Sequence, residues 1–174
     1  MDSSLLASPE FSRSIFQRIG RVCEKLKDRG FMLGGAESCT GGLVAACCTE
    51  VVGSSDWFAG SIVCYANSVK EGVLAVPHTM LHTHGAVSGP VVRALASAAL
   101  EVLGVDVAFA LSGVAGPGGG SPEKPVGTVW IAVACRSEGE ATVSAERFVF
   151  PGDRTGIRLA ACAKALEMVE QALG

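Results

Sequence analysis

The feature that most constrains the fold is a short apolar strand that leads through a tight glycine turn into a helix. Residues 31–36 are the predicted strand, Gly41 and Gly42 lie in the turn, and residues 43–52 have the character of a helix. Units of this kind build α/β proteins, in which strands and helices alternate. The first N–H groups of such a helix have no backbone partner and point toward the polar residues of the turn. The unit therefore predicts a fold class and a place for chemistry.

The rest of the chain continues this alternation. Apolar spacing of three or four predicts helices at residues 9–29, 69–74 and 91–103, and a last helix runs from the 151–153 turn to about residue 172. Short apolar runs predict strands at residues 57–65, 106–111, 127–135 and 142–150, the last two paired. We expect an α/β protein, a three-layer α/β/α sandwich around a mixed, mostly parallel sheet with one antiparallel strand. A length of 174 residues suits a single domain over residues 1–174.

Composition excludes several classes of partner. The 17 acidic residues outnumber the 14 lysines and arginines, which form no cluster, so nucleic-acid binding is disfavoured. Apolar runs stop well short of the ~20 residues that cross a bilayer, and residues 1–4 do not resemble the start of a secretory signal. The seven cysteines include no C-x-x-C pair, which suits reduced core thiols. We expect a cytoplasmic protein without membrane or nucleic-acid partners.

Ser38, in the turn before the helix, is a candidate nucleophile, although Ser38 or Thr40 would serve equally as a helix cap. A serine nucleophile needs a base. Between residues 31 and 123 the only lysine or arginine side chains are Lys70 and Arg93. Lys70 follows a predicted strand, and an amine in a dry pocket loses proton affinity and becomes able to accept the serine proton. The alternative is a solvated helix lysine.

Tyr65 is either a strand aromatic or a proton relay between Lys70 and Ser38.

A glycine-rich loop at residues 112–120 follows another predicted strand. Ligands of open α/β sheets bind beyond the carboxyl ends of the strands, so this loop and the Ser38 turn are expected to line one pocket. The loop matches neither the P-loop nor the dinucleotide-binding pattern. Arg154, at the start of the last helix, could hold a phosphate monoester, or it could pair with Asp153 or another carboxylate.

Two further clusters have a chemical and a structural interpretation. His78, His82 and His84 could seat a metal, but no adjacent carboxylate completes a H-E-x-x-H pattern, and we interpret the segment as a polar surface turn. Cys39 adjoins the candidate nucleophile without a histidine nearby in sequence, and we interpret it as a small core residue.

Seven segments, taken in order along nearly the whole chain, resemble the C-terminal domain of the CinA family of nicotinamide mononucleotide deamidases. They are residues 36–42 (Ala-Glu-Ser-Cys-Thr-Gly-Gly), 52–55 (Val-Gly-Ser-Ser), 65–70 (Tyr-Ala-Asn-Ser-Val-Lys), 84–88 (His-Gly-Ala-Val-Ser), 112–117 (Ser-Gly-Val-Ala-Gly-Pro), 124–129 (Lys-Pro-Val-Gly-Thr-Val) and 150–154 (Phe-Pro-Gly-Asp-Arg).

The resemblance implies hydrolysis of the carboxamide of nicotinamide mononucleotide to nicotinate mononucleotide and ammonia, in pyridine nucleotide salvage, with no metal or organic cofactor. It implies that Ser38 is the nucleophile and that Lys70 and Tyr65 activate it. Backbone N–H groups near Thr40, Gly41 and Gly42 are the expected oxyanion donors. The expected substrate-binding residues are Glu37, Thr40, Gly41, Gly42, Ser88, Ser112, Gly113, Gly116 and Arg154.

Two other functions stay open at this point. One is a non-catalytic module that binds a nucleotide or phosphate, and the other is a serine–lysine amidase that acts on a different amide. A homo-oligomer is expected, most simply a two-fold dimer, since this is the common state of soluble enzymes. Longer relatives carry an additional N-terminal domain, which we expect to be absent here together with its activity.

Overall fold

The computed structural model describes residues 9–137 and 140–174 of the chain. The helices are α1 (Pro9–Arg29), α2 (Leu43–Thr49), α3 (Asn67–Gly72), α4 (His78–His84), α5 (Gly89–Val102) and α6 (Arg154–Ala172). The strands are β1 (Leu33–Glu37), β2 (Phe58–Val63), β3 (Val107–Gly113), β4 (Thr128–Ser137) and β5 (Glu140–Val149), and a short 3₁₀ turn covers Ser54–Asp56.

The strands form one sheet in the order β2-β1-β3-β4-β5. Strands β2, β1 and β3 are parallel, β4 is antiparallel to β3, and β5 is antiparallel to β4. Strand β5 therefore runs in the same direction as β1, β2 and β3, and β4 is the one strand that runs against the rest. The predicted mostly parallel sheet with one antiparallel strand is confirmed.

Helices cover both faces of the sheet, and side-chain size differs between the faces. One face presents large apolar side chains to α1, α2 and α6, among them Leu33, Phe109, Leu111 and Ile131. The other face presents alanines to α5, namely Ala36, Ala108, Ala110, Ala132 and Ala134. Small residues let α5 lie close against the strands, whereas the opposite face holds the thicker core. The predicted three-layer sandwich is confirmed.

Most predicted elements are present with small shifts at their ends. Helix α1 begins and ends where its apolar spacing predicts, at Pro9 and Arg29. The prediction of a polar surface turn at the three histidines is wrong, because His78–His84 is a helix that buries only Leu81. The expectation drawn from residues 1–4 lies outside the described residues. None of the helices in the described part of the chain is long and apolar enough to span a membrane.

The carboxyl ends of the three parallel strands meet at one edge of the sheet. Glu37, the last residue of β1, is level with Val63 of β2 and Leu111 of β3. Just beyond this row, the N–H of Ser38 donates to the carbonyl of Leu111 at 3.1 Å, and the N–H of Cys64 donates to the carbonyl of Glu37 at 2.8 Å. The sheet itself therefore fixes the backbone from which the candidate nucleophile projects.

Candidate active site

Ser38 and Lys70 meet at this edge of the sheet. The Nζ of Lys70 lies 3.3 Å from the Oγ of Ser38. Both residues are buried, with Lys70 1% exposed and Ser38 7% exposed. Within the described residues, no carboxylate forms an ion pair with Lys70. Lys70 is therefore not the solvated helix lysine of the alternative interpretation.

Two backbone carbonyls and burial define the surroundings of the Lys70 amine. Its Nζ donates to the backbone carbonyls of Cys64 at 2.7 Å and Tyr65 at 3.0 Å. Nζ can also donate to the hydroxyl of Ser38, and when the amine is neutral the two carbonyls accept its two N–H bonds and leave its lone pair for that hydroxyl. Burial lowers the pKa of Lys70, because the charged ammonium loses its hydration. This arrangement places the lone pair of a neutral Lys70 amine within reach of the Ser38 hydroxyl.

Glu37 has its carboxylate turned into the protein. The carboxylate accepts hydrogen bonds from the N–H groups of Gly42 (2.9 Å), Val44 (3.2 Å) and Ala45 (3.0 Å) and from the hydroxyl of Ser61 (3.1 Å). Gly42 stands at the N-cap of α2 and has no side chain to offer, so the buried Glu37 supplies the cap from five residues earlier. Its oxygens are engaged in holding the turn.

We expect Glu37→Ala to lower the free energy of unfolding by about 3 kcal/mol. The substitution leaves several buried N–H donors, which bind the carboxylate in the wild type, without a hydrogen-bond acceptor. Chemical denaturation followed by circular dichroism measures this change. Glu50→Ala is the control, since Glu50 is exposed at the other end of α2 and its loss should cost less than about 0.5 kcal/mol. A loss below about 1 kcal/mol for Glu37→Ala would contradict the capping role.

The turn after Ser38 leaves different N–H groups free from those the sequence predicts. The N–H of Gly41 donates to the carbonyl of Ser38 at 3.1 Å, and the N–H of Gly42 is held by Glu37. The expectation that these two glycines supply oxyanion donors is therefore corrected. The N–H groups of Cys39 and Thr40 donate to no backbone carbonyl within the described residues. They are the available donors beside Ser38.

Arg154 contacts the glycine-rich loop beside a cavity whose lining does not include Ser38, so the expected shared pocket is not seen at this cavity. The Nη1 of Arg154 donates to the carbonyl of Gly116 at 2.8 Å. A cavity of about 440 Å³ lies between them, lined by Ala115, Pro117, Val126, Gly152, Asp153, Arg154 and Thr155. Asp153 caps α6 through the N–H of Gly156 at 2.8 Å, and Arg154 forms no ion pair with a described carboxylate. Arg154 therefore does not pair with Asp153, as the alternative interpretation required.

Two glycines of the loop allow backbones to approach closely. A side chain on Gly116, whose φ is +77°, would lie 2.6 Å from Val126, and one on Gly113 would lie 2.7 Å from the carbonyl of Thr128. Neither position has room for a Cβ atom. These glycines shape the walls next to the cavity.

The other predicted substrate-binding residues are spread more widely. Ser112 is buried and directly follows Leu111, whose carbonyl accepts the hydrogen bond from the Ser38 N–H. The buried hydroxyl of Thr40 has no hydrogen-bond partner within the described residues. The hydroxyl of Ser88 donates to the carbonyl of Gly85 at 2.8 Å in a different cavity, beside Trp130. Because α5 and α6 cover opposite faces of the sheet, Ser88 and Arg154 lie on opposite sides of it.

Tyr65 departs from the expected arrangement. Its side chain is 63% exposed, and its hydroxyl forms no hydrogen bond with Lys70 or Ser38 among the contacts of the described residues. What Tyr65 contributes to Lys70 is its backbone carbonyl. In this structure the hydroxyl of Tyr65 is therefore not placed to relay a proton between Lys70 and Ser38.

Cys39 and the histidines contribute little to the site. Burial raises the pKa of the Cys39 thiol to about 11, so it stays protonated and weakly nucleophilic near neutral pH. His78, His82 and His84 are exposed on α4, away from the core. Among the described residues, no group of three or more His, Cys, Asp or Glu side chains is placed to hold a metal ion.

Arg158 is a residue of this edge that sequence reasoning missed. It lies one helical turn after Arg154, and its guanidinium donates to the carbonyls of Cys39 (Nε, 3.2 Å) and Thr40 (Nη2, 2.7 Å). The spacing of four residues between two arginines, which places both on one face of α6, was the available signal.

The fold and the site together define an α/β/α domain with a buried serine–lysine pair at the carboxyl edge of its sheet. The family model described as CinA C-terminal domain matches residues 17–173. The chain belongs to the CinA C-terminal domain family.

Several relatives cover most of the chain. The nicotinamide-nucleotide amidohydrolase PncC of Escherichia coli (strain K12) is 46% identical over 158 residues, which are 90% of this chain and 93% of that protein. A CinA-like protein of Akkermansia muciniphila is 52% identical over 131 residues, 75% of this chain and 31% of its own length. A crystal structure of the competence/damage inducible protein CihA from Agrobacterium tumefaciens aligns with a TM-score of 0.85 at 40% identity, covering 92% of this chain and 95% of that one. The chain spans little more than a third of the length of the longer curated relatives it matches.

Proposed function

We propose that this protein is an amidohydrolase that removes the amide nitrogen of nicotinamide mononucleotide and yields nicotinate mononucleotide and ammonia. One observation carries the proposal: the buried amine of Lys70 lies 3.3 Å from the hydroxyl of Ser38. The same amine donates hydrogen bonds to two backbone carbonyls. The similarity to a protein named nicotinamide-nucleotide amidohydrolase, over 90% of this chain, supports the choice of substrate.

The proposed reaction passes through an acyl-serine. Neutral Lys70 takes the proton of Ser38 as the Oγ forms a bond to the carboxamide carbon. The oxygen of the tetrahedral intermediate receives hydrogen bonds from the free N–H groups of Cys39 and Thr40. The carbon–nitrogen bond then breaks, the proton on Lys70 passes to the leaving nitrogen, and ammonia departs.

Water completes the cycle. Lys70, neutral again, takes a proton from water as the water oxygen attacks the ester carbon. The bond between the carbon and the Oγ of Ser38 breaks, the serine regains its proton from Lys70, and the carboxylic acid loses its own proton to solvent. The pyridinium ring of the substrate withdraws electrons from this carbon and favours both attacks.

The cavity beside Arg154 suits the remainder of the substrate. A guanidinium can bind a phosphate monoester through two parallel hydrogen bonds, and Arg154 has no carboxylate partner among the described residues that would compete. Its present hydrogen bond to the carbonyl of Gly116 holds it at the rim of the 440 Å³ cavity.

Ammonia release from three amides tests the proposal and its alternatives. Nicotinamide mononucleotide, nicotinamide riboside and free nicotinamide are compared under the same conditions, and we expect turnover of the mononucleotide with much lower kcat/KM for the two that lack phosphate. Faster turnover of another amide would assign the serine–lysine pair a different substrate. Binding of the mononucleotide without ammonia release would favour a non-catalytic nucleotide-binding module.

Tyr65→Phe is expected to keep kcat/KM within about tenfold of the wild type. The backbone carbonyl that contacts Lys70 is unchanged in this variant, and the hydroxyl that is lost forms no hydrogen bond with Lys70 or Ser38 among the described residues. Steady-state ammonia release measures the effect. If Tyr65→Phe were as inactive as a variant without Lys70, the tyrosine hydroxyl would be the proton relay.

The proposal also includes the cellular role and the assembly. We propose that the enzyme acts in pyridine nucleotide salvage in the cytoplasm as a homo-oligomer, with a two-fold dimer as the simplest form. Light scattering after size-exclusion chromatography measures the assembly directly.

A further inference from the structure

Arg158 joins the last helix to the turn that carries the candidate nucleophile. Its guanidinium is half-buried and makes two hydrogen bonds, to the carbonyls of Cys39 and Thr40. These are the two residues that directly follow Ser38. No described carboxylate pairs with Arg158, so the positive charge is directed at these backbone carbonyls.

Planar peptide geometry gives this contact a consequence for the free N–H groups. The carbonyl of Cys39 belongs to the same peptide unit as the N–H of Thr40, and in a trans peptide the two point in opposite directions. A guanidinium that holds the carbonyl on one side therefore directs the N–H of Thr40 to the other side. That N–H donates to no backbone carbonyl within the described residues.

The second carbonyl fixes the rest of the turn. The carbonyl of Thr40 shares its peptide unit with the N–H of Gly41, which already donates to the carbonyl of Ser38 at 3.1 Å. Arg158 thus holds two consecutive peptide units, of which one closes the turn and the other presents a free donor. A fork of several N–H groups suits this task, because one side chain can reach both carbonyls at once.

We propose that Arg158 is a positioning residue that orients the Cys39–Thr40 peptide unit so that its N–H stabilises the oxyanion formed at Ser38. The inference rests on the proposed acyl-serine chemistry and deepens it. Arg154, one turn earlier on the same helix, points its guanidinium at the glycine-rich loop instead. Arg158 therefore orients the turn, whereas Arg154 binds the substrate.

Kinetics of matched variants separate these roles. Arg158→Met keeps the length and apolar stem of the side chain and removes the fork. We expect it to lower kcat for nicotinamide mononucleotide by about 10- to 100-fold with KM within about twofold, since a misplaced oxyanion donor costs up to about 10²–10³ in rate. Arg158→Lys reaches one carbonyl and should recover part of kcat. Arg154→Met should instead raise KM more than it lowers kcat.

A second readout does not depend on the substrate. Phenylmethanesulfonyl fluoride forms a sulfonyl ester with a reactive serine and releases fluoride, and its sulfonyl oxygens occupy the oxyanion position. The rate constant for labelling of Ser38, followed by mass spectrometry, should fall in Arg158→Met and recover in part with low concentrations of guanidinium. Simple destabilisation would lower the fraction of protein that is labelled and leave the rate constant unchanged.

The outcomes distinguish this inference from the proposed function. A slower labelling rate in Arg158→Met, in a protein that releases no ammonia from the mononucleotide, would support the positioning role while the proposed substrate fails. Unchanged kcat and labelling rate in Arg158→Met would overturn the positioning role while wild-type ammonia release stands. A raised KM with unchanged kcat would also overturn it and make Arg158 a substrate ligand.

Discussion

Replacing Ser38 by alanine is expected to lower kcat/KM for ammonia release by at least about 10³-fold, because the residues of such a catalytic unit lose most of their effect when the nucleophile is removed. The fold should persist, since the backbone of the turn is held by Leu111, Glu37 and Arg158 and none of these contacts uses the serine hydroxyl. Binding of nicotinamide mononucleotide should change little. Ammonia release and calorimetric binding measure the two quantities separately.

Ser144→Ala is the matched control for this experiment. Ser144 lies within β5, the strand at the far side of the sheet from β1 and β2, so its hydroxyl is remote from Lys70. Its loss should leave kcat/KM within about twofold of the wild type. Turnover by Ser38→Ala at more than a small fraction of the wild-type rate would contradict the acyl-serine route and leave Cys39 or direct attack by water as the chemistry.

Lys70 variants should be equally inactive whether or not they keep a positive charge. Lys70→Arg places a guanidinium that does not release its proton in proteins, and Lys70→Ala has no base at all, so neither can activate Ser38. We expect both to lower kcat/KM by at least about 10²-fold, the lower range for the loss of a positioned general base. Lys27→Arg, on the exposed surface of α1, is the control. An active Lys70→Arg enzyme would rule out lysine as the base.

The pH dependence of the wild type should carry the signature of Lys70. In the proposed mechanism the neutral amine is the active form, so kcat/KM should rise with pH through the pKa of Lys70 in the free enzyme. Burial lowers that pKa, so the rise should occur below the pH at which an exposed lysine titrates. A flat profile across the neutral and mildly alkaline range would contradict this assignment.

Protein stability gives an independent check of the same pKa. Between the lowered pKa of folded Lys70 and the ordinary pKa of the unfolded chain, the unfolded state binds more protons, so stability from this group rises with pH. Lys70→Met should remove that slope. Denaturation curves at a series of pH values compare the two proteins without any substrate.

Much of the fold follows from local patterns in the sequence. Apolar spacing locates α1, and the alternation of helices and strands predicts the sheet, because burial of one face dictates both signals. Helix α4 lacks such a pattern, since its seven residues bury only Leu81 and include three exposed histidines. A short polar helix of this kind depends on its tertiary neighbours, which local propensity does not describe.

The meeting of Ser38 and Lys70 was predictable from the sequence, whereas the hydrogen bonds around them were less so. Ser38 and Lys70 each follow a strand that ends at the same edge, and this topology brings them together. The hydrogen bonds of the turn depend on where Glu37 and Arg158 point in three dimensions, and spacing in sequence does not contain that information. For the same reason the exposure of Tyr65 is a result of the structure.

Peptide-mapping mass spectrometry of enzyme quenched in acid during turnover of nicotinamide mononucleotide tests the acyl-serine route most directly. We expect a covalent adduct on the peptide that contains Ser38, with the mass of the substrate less ammonia, and no such adduct in Ser38→Ala. An adduct on Cys39, or active turnover with no adduct on any residue under conditions that trap the ester, would contradict it.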